Sequence, residues 1–110
     1  MPTNYKILGQ TAATTAATSY DLYTVPSSTQ AVVSSIVVTN RDSAAATYRI
    51  SAASAGAALA NAQYIAYDVT VGGNDSTIIT IGATLGATDK LRVYASTVNL
   101  NFIAFGSEIS

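Results

Sequence analysis

The chain has 110 residues, of which 49% are hydrophobic and only 10% charged, and its formal net charge at pH 7 is -1. It contains no Cys and no His, which excludes disulfides, the usual zinc sites and Ser-His-Asp triads. Its five basic residues are too few for the phosphate-binding patch of a nucleic-acid-binding domain, so we expect no nucleic-acid partner.

The apolar residues of this chain are unusually small. Alanine accounts for 20 of them, against 24 Val, Ile and Leu residues together, two Phe and no Trp. Because the stabilisation from burial scales with the apolar area removed from water, such residues make a thin core. Free soluble domains carry about a quarter charged residues, and a net charge near zero favours association. We therefore expect a single domain that gains stability in an assembly.

The N-terminal segment reads as a strand followed by a linker. Asn4 to Leu8 is a short strand candidate, and residues 11–19, TAATTAATS, are low in complexity and rich in Thr. This pattern predicts two parts: an N-terminal strand or arm with its linker, residues 1–19, and a β-sandwich domain, residues 20–110. No secretory signal and no convincing membrane span is seen, so no membrane partner is expected.

From Tyr20 onward, short runs of β-branched and aromatic residues alternate with turn residues. Their spacing predicts an all-β fold: a single antiparallel β-sandwich of about seven or eight strands with an extended N-terminal arm, either jelly-roll or immunoglobulin-like. The predicted strands are Tyr20 to Val25, Ala31 to Asn40, Thr47 to Ala53, Gln63 to Val71, Ser76 to Ile81, Lys90 to Thr97 and Asn99 to Gly106. Residues 55–62 could form one or two helical turns at most.

Two-residue alternation predicts which side chains face the core. In TYRISAA, Tyr48, Ile50 and Ala52 share one face, while Arg49 and Ser51 share the other. In KLRVYAS, Leu91, Val93 and Ala95 point inward, whereas Lys90, Arg92 and Tyr94 point outward.

Turn residues predict how the strands connect. GGND, residues 72–75, tolerates positive φ, so the strands that end at Val71 and begin at Ser76 should form a hairpin. Residues 22–45 read as two neighbouring strands joined through Pro26 and ending in an exposed loop at residues 40–46.

The last strand breaks the alternation. In LNFIAFG, Leu100, Phe102 and Ala104 take one face, and Ile103 and Phe105 take the other. A strand that is apolar on both faces is typically buried on both sides. Either a loop or a neighbouring subunit should therefore cover its second face.

The acidic residues could in principle form a site. Asp68, Asp75 and Asp89 could hold Ca²⁺ if their loops meet, but an isolated Asp next to Gly or Thr is normally a turn residue that bonds its own backbone, and we favour that interpretation. Six scattered acids give no support for the paired carboxylates of a glycosidase. We thus predict no enzyme, with no catalytic, cofactor-binding or metal-binding residue.

Five residues are candidates for a protein interface. Tyr94 lies on the polar face of its strand, where an exposed Tyr can anchor a partner, although Tyr also packs at sheet rims for purely structural reasons. Ile103 and Phe105 form the second apolar face of the last strand. Arg41 and Asp42 lie in the loop at residues 40–46.

Several segments resemble a group of small structural proteins of tailed bacteriophages, notably those of cyanobacteria and marine bacteria. The most distinctive are LYTVP, VVTNR, YIAYD and the terminal FGSEI, and the resemblance extends from Tyr5 to Ile109. No catalytic or ligand residue is carried over from that group.

The resemblance implies a virion protein, assembled in the host cytoplasm, and leaves two interpretations open. The first is a capsid decoration or cement protein, a homo-oligomer with a trimer favoured, that bridges subunits of the major capsid protein. The alternative is a tail baseplate or tail-fibre component that contacts other tail proteins or host glycans through Tyr residues and loops.

Overall fold

A computed structural model describes residues 3–110, and every structural statement below refers to them. The chain forms eight strands, in the order β1 Thr3–Ala12, β2 Thr18–Thr24, β3 Gln30–Asn40, β4 Ala46–Ala53, β5 Tyr64–Val71, β6 Ser76–Leu85, β7 Lys90–Ala95 and β8 Leu100–Ile109. All eight coincide with predicted strands, although several run further than expected. The predicted helical turns are two short 3₁₀ turns, Ser54–Gly56 and Asn61–Gln63. Within residues 3–110, no helix is long and apolar enough to span a membrane.

The eight strands form two four-stranded antiparallel sheets. The first sheet has the order β1-β8-β3-β6 and the second has the order β2-β7-β4-β5. Strands β1 and β8, β2 and β7, β3 and β6, and β4 and β5 pair as if one long hairpin had been rolled up. This is the jelly-roll arrangement, so the predicted all-β sandwich is confirmed and the immunoglobulin-like alternative is excluded.

The core lies between the two sheets and follows the predicted alternation. Tyr48 and Ile50 of β4 are buried, and the Tyr48 ring meets the Phe102 ring of the first sheet edge to face, with centroids 6.4 Å apart. The other large, fully buried side chains are aliphatic apart from the amide Asn40: Ile36, Leu91, Leu100, Val25, Val33, Val38, Val71 and Val93. Much of the remaining core is alanine, including Ala31, Ala95 and Ala104.

Two predicted connections are wrong. Strands β5 and β6 do not form a hairpin, because β5 pairs with β4 in the second sheet and β6 pairs with β3 in the first. The turn at residues 72–75 instead carries the chain from one sheet to the other. The connection through Pro26 does the same, so β2 and β3 are consecutive but lie in opposite sheets. Turn residues indicate a reversal of direction, but they do not indicate the partner of the next strand.

Residues 11–19 do not form the predicted linker in the structure. Strand β1 continues to Ala12 and pairs with β8 along its length, and β2 already begins at Thr18. Between them, the Tyr20 hydroxyl accepts hydrogen bonds from the backbone N–H of Thr14 and Thr15 at 3.1 and 2.6 Å. The low-complexity run is therefore a strand end, an anchored turn and a strand start. An independent role for residues 1–19 stays a prediction.

Candidate interaction surface

The outward side of the first sheet is a largely apolar surface. Pairing of β8 with β1 and β3, and of β3 with β6, places outward-pointing side chains of all four strands side by side. We call this surface the outer apolar face. Its large apolar members are Tyr5, Ile7, Val32, Val37, Ile78, Ile103, Phe105 and Ile109.

The strand register arranges these side chains in rows that cross the sheet. Val37 lies opposite Ile103 on one side and Ile78 on the other, which makes one apolar row over three strands. Phe105 lies opposite Ile7 and forms a second row. Directly opposed side chains on one sheet face are close enough to pack, so the rows form a continuous patch.

The outer apolar face is open to solvent. The exposed fraction is 85% for Tyr5, 66% for Ile78 and 48% for Ile7, and Ile103 and Phe105 are half-buried. Within residues 3–110 all strands belong to the two sheets and both 3₁₀ turns contact the second sheet, so no regular element lies over this face. The second side of β8 is thus not buried within one chain, and its predicted burial stays a prediction for an assembly.

The outer apolar face also lacks charge. Its polar positions on β3, β6 and β8 are Ser, Thr, Asn and Gln, among them Ser35, Thr80 and Asn101. The outer side of the second sheet is different. There Asp21 pairs with Lys90 at 2.9 Å and with Arg92 at 3.1 Å, and Arg49 pairs with Asp68 at 2.7 Å.

Two open depressions lie along β8. One has a volume of about 630 Å³ and is lined by side chains that include Tyr5, Ile7, Val32 and Phe105. The other, of about 480 Å³, lies near Ile103 and is bordered by Arg41. Three of the five residues predicted from the sequence, Ile103, Phe105 and Arg41, therefore line one side of the molecule.

Arg41 is held at the edge of this surface. Its guanidinium donates hydrogen bonds to Asn101 Oδ1 at 2.6 Å and to the Val98 carbonyl at 3.0 Å. The side chain is exposed but oriented, so it can present its charge to a partner without losing further side-chain freedom.

Asp42 is engaged within the chain. One carboxylate oxygen accepts the Ser43 N–H at 2.7 Å, and the other accepts a hydrogen bond from the Asn99 side chain at 3.1 Å. These bonds hold the loop against its neighbours, so the observed contacts of Asp42 are structural. Its interface role stays a prediction.

Tyr94 lies on the opposite side of the molecule, on the outer side of the second sheet. The Arg49 guanidinium carbon lies 4.2 Å from the ring centroids of both Tyr94 and Tyr67. Asp68 raises the pKa of Arg49 by hydrogen bonding, so the sandwiched cation is firmly charged. Tyr94 therefore belongs to a different surface from Ile103 and Phe105.

The sequence patterns did not identify several other members of the outer apolar face. Ile7 and Tyr5 lay in the segment read as an arm, so no sheet partner was expected for them. Ile78 and Ile79 are adjacent, which places apolar side chains on both faces of β6 just as Ile103 and Phe102 do on β8. That signal was present in the sequence and could have identified Ile78.

The three acids considered for Ca²⁺ bind separate groups. Asp68 pairs with Arg49, and Asp75 accepts the Ser76 N–H at 2.8 Å. Asp89 accepts the N–H groups of Gly86 and Ala55 at 2.8 and 2.7 Å. Within residues 3–110, no three acidic side chains come together as a possible metal site. Asp75 and Asp89 instead bond backbone N–H groups of turns, as the turn interpretation predicts.

Comparisons with known proteins support the fold. No family model and no curated protein sequence matches the chain. Among solved structures, a chain in the structure of infectious bursal disease virus Gx strain matches with a TM-score of 0.55 at 8% identity, covering 97% of this chain and 31% of that one. A chain from the Gt strain of the same virus gives a TM-score of 0.49 at 10% identity, with 96% and 32% covered. This chain thus spans about a third of the length of each of these two chains, and the likeness to the Gx-strain chain shows a shared fold alone.

Proposed function

We propose that this protein is a structural component of a virus particle that acts through protein contacts. The observation that carries the proposal is the outer apolar face, an uncharged and uncovered side of a jelly roll. Monomeric soluble proteins rarely expose contiguous apolar patches of this kind without using them for association.

The fold supports the same conclusion. Jelly rolls are common in viral coat and lectin domains, and the structural neighbour above TM-score 0.5 is a chain in the structure of a virus. Fold alone does not establish a function. The composition agrees with an assembled state, since the chain has only 11 charged side chains and a net charge of -1.

The finer proposal is a capsid decoration protein of a tailed bacteriophage that bridges neighbouring subunits of the major capsid protein. It draws on the sequence resemblance. The charged outer side of the second sheet, with Arg49 and Asp68, supplies a surface for contact with the shell, and the outer apolar face supplies a second protein-binding surface. A protein that bridges two partners needs two such surfaces.

Quantitative mass spectrometry of purified virus particles tests this proposal. A decoration protein should be present in a copy number of the same order as the major capsid protein. A much lower number, close to that of baseplate or fibre proteins, would favour the tail alternative. Absence of the protein from purified particles would refute the virion role altogether.

A second experiment separates a decoration role from a passive one. Particles that lack the protein should lose their genome at a lower temperature than complete particles, and addition of the purified full chain should restore the difference. The Ile78→Glu variant should fail to restore it, whereas Leu59→Glu, an equally charged change at an exposed loop position away from the outer apolar face, should succeed. Equal stability of particles with and without the protein would contradict the decoration role.

A further inference from the structure

We infer that the outer apolar face binds the same face of a second copy of this chain. The inference rests on the proposed function of the chain as an assembly subunit and names the partner of this surface. The contact is isologous: each chain contributes the same side of the sheet β1-β8-β3-β6, and the two copies are related by a two-fold axis.

The centre of the outer apolar face carries no ionised side chain. A side chain close to the two-fold axis lies near its own copy, so an ionised group there would meet a like charge. The outward positions of the four strands are apolar or carry Ser, Thr, Asn or Gln, and Arg41 lies only at the edge. A partner recognised mainly through complementary charges would need several ionised groups, and this face offers only Arg41 at its edge and Lys6 beside one depression. The opposite sheet, with its ion pairs at Asp21 and Arg49, does not have this property.

The outer apolar face is large enough for a stable contact between two copies. Strands β1, β6 and β8 have 10 residues each. Four strands about 4.8 Å apart, with about 3.3 Å per residue, make a face of about 19 by 33 Å, or about 600 Å² per copy. Two such faces would bury about 1,200 Å², which reaches the lower end of the size of stable protein interfaces.

The large apolar side chains lie at the centre of the outer apolar face and on both sides of it. Val37 and Ile103 lie on the two central strands, so they lie near the centre of the face, with Ile78 and Ile7 on the edge strands to either side. One open depression lies beside Ile103 and the other beside Ile7 and Phe105. When two sheets pack face to face, side chains of one sheet fit between those of the other, at a sheet separation of about 10 Å.

Sedimentation equilibrium and native mass spectrometry of the full chain test the inference. At about 100 μM, well above a micromolar Kd, the wild-type chain should be a dimer. Ile78→Glu should raise the dimer Kd at least about tenfold, because each interface would bury carboxylates without partners. Leu59→Glu removes an exposed apolar side chain of the second sheet's loop and adds the same charge, and it should leave the Kd unchanged.

Cross-linking provides a measurement that does not depend on Ile78. Because the chain has no Cys, Ser35→Cys places a single thiol near the centre of the outer apolar face, and Thr70→Cys places one on the exposed edge strand β5. A short bismaleimide should link the Ser35→Cys chain into dimers in high yield and the Thr70→Cys chain only weakly.

A wild-type chain that is monomeric at this concentration, or a trimer as expected from the sequence, would overturn the two-fold contact. Equal effects of Ile78→Glu and Leu59→Glu would do the same. These results would leave the virion role standing, since another virion protein could then cover the face. Conversely, a dimer that is missing from purified particles would refute the virion role and leave the contact in place.

Discussion

The Tyr23 hydroxyl donates a hydrogen bond of 2.5 Å to the Glu108 carboxylate. Tyr23 belongs to β2 in the second sheet and Glu108 to β8 in the first, so this bond joins the two sheets at one end of the sandwich. The other carboxylate oxygen lies 2.9 Å from Lys6 Nζ on β1. One half-buried carboxylate therefore connects three strands, including the N-terminal one.

This connection should make stability depend on pH at both extremes. The Tyr23 and Lys6 hydrogen bonds lower the pKa of Glu108 below its ordinary 4.5, so its stabilisation is present above that pH and is lost as the pH falls further. Burial and the Glu108 charge raise the pKa of Tyr23 above its ordinary 10.0, so the stabilisation from the Tyr23 hydroxyl is lost as the pH rises beyond that value.

Urea unfolding of wild type and Tyr23→Phe from acid to alkaline pH checks both losses of stability. Tyr23→Phe should lose about 1–3 kcal/mol at neutral pH, and the difference should shrink below pH 4.5. A constant difference would contradict this account.

Gly106 of β8 should not tolerate a side chain. A Cβ there would overlap the Val32 carbonyl oxygen of the neighbouring strand, and backbone atoms cannot move aside cheaply. We expect Gly106→Ala to reduce the free energy of unfolding by about 1–3 kcal/mol. Gly82→Ala in β6 is the matched control, because a Cβ at Gly82 meets nothing within 4 Å. Equal denaturation midpoints for the two variants would show that the close approach is not a constraint.

The buried Asn40 side chain should be essential for the folded conformation of the loops at one end of the sandwich. Its buried side-chain amide donates to the carbonyls of Ala44 and Gly72 at 2.8 and 3.2 Å, and its oxygen accepts the Asp42 N–H at 3.0 Å. Asn40→Asp keeps the shape but turns a donor into a charged acceptor that faces carbonyl oxygens. The loss should be at least about 2 kcal/mol, because a buried charge would lack a partner. Asn61→Asp at an exposed position should change the thermal midpoint little, and a comparable loss there would contradict the assignment.

Thr88 carries avoidable backbone strain. Its φ of 66° lies in the left-handed region that a β-branched residue rarely adopts, and its side chain is exposed. Thr88→Gly should therefore raise the free energy of unfolding by about 1 kcal/mol. Thr84→Gly, in the regular strand β6, should instead lower it, since glycine loses more backbone entropy in a strand. Chemical denaturation of both variants would show opposite signs, and a loss in both would refute the strain.

Local sequence patterns determined which side chains of several strands face the core. The alternation in β4 and β7 predicted that Tyr48, Ile50, Leu91 and Val93 face the core, and the two apolar sides of β8 predicted that Ile103 and Phe105 would lie on a second surface. Such signals are readable because side chains alternate with a period of two along any strand, whatever its partner.

The tertiary structure alone decided which strands pair. Turn residues at 72–75 and at Pro26 predicted where the chain turns, but the predicted hairpin and neighbouring strands are wrong, because both connections cross between sheets. Pairing is set by the burial of a common core and not by the turn. Tyr5 and Ile7 lie on the outer apolar face only because β1, read as an arm, pairs with β8 at the opposite end of the chain. The sequence determined where strands lie and which way their side chains alternate. Long-range strand pairing decided that Ile7, Val37, Ile78, Ile103 and Phe105 form one surface, because the paired strands lie far apart along the chain.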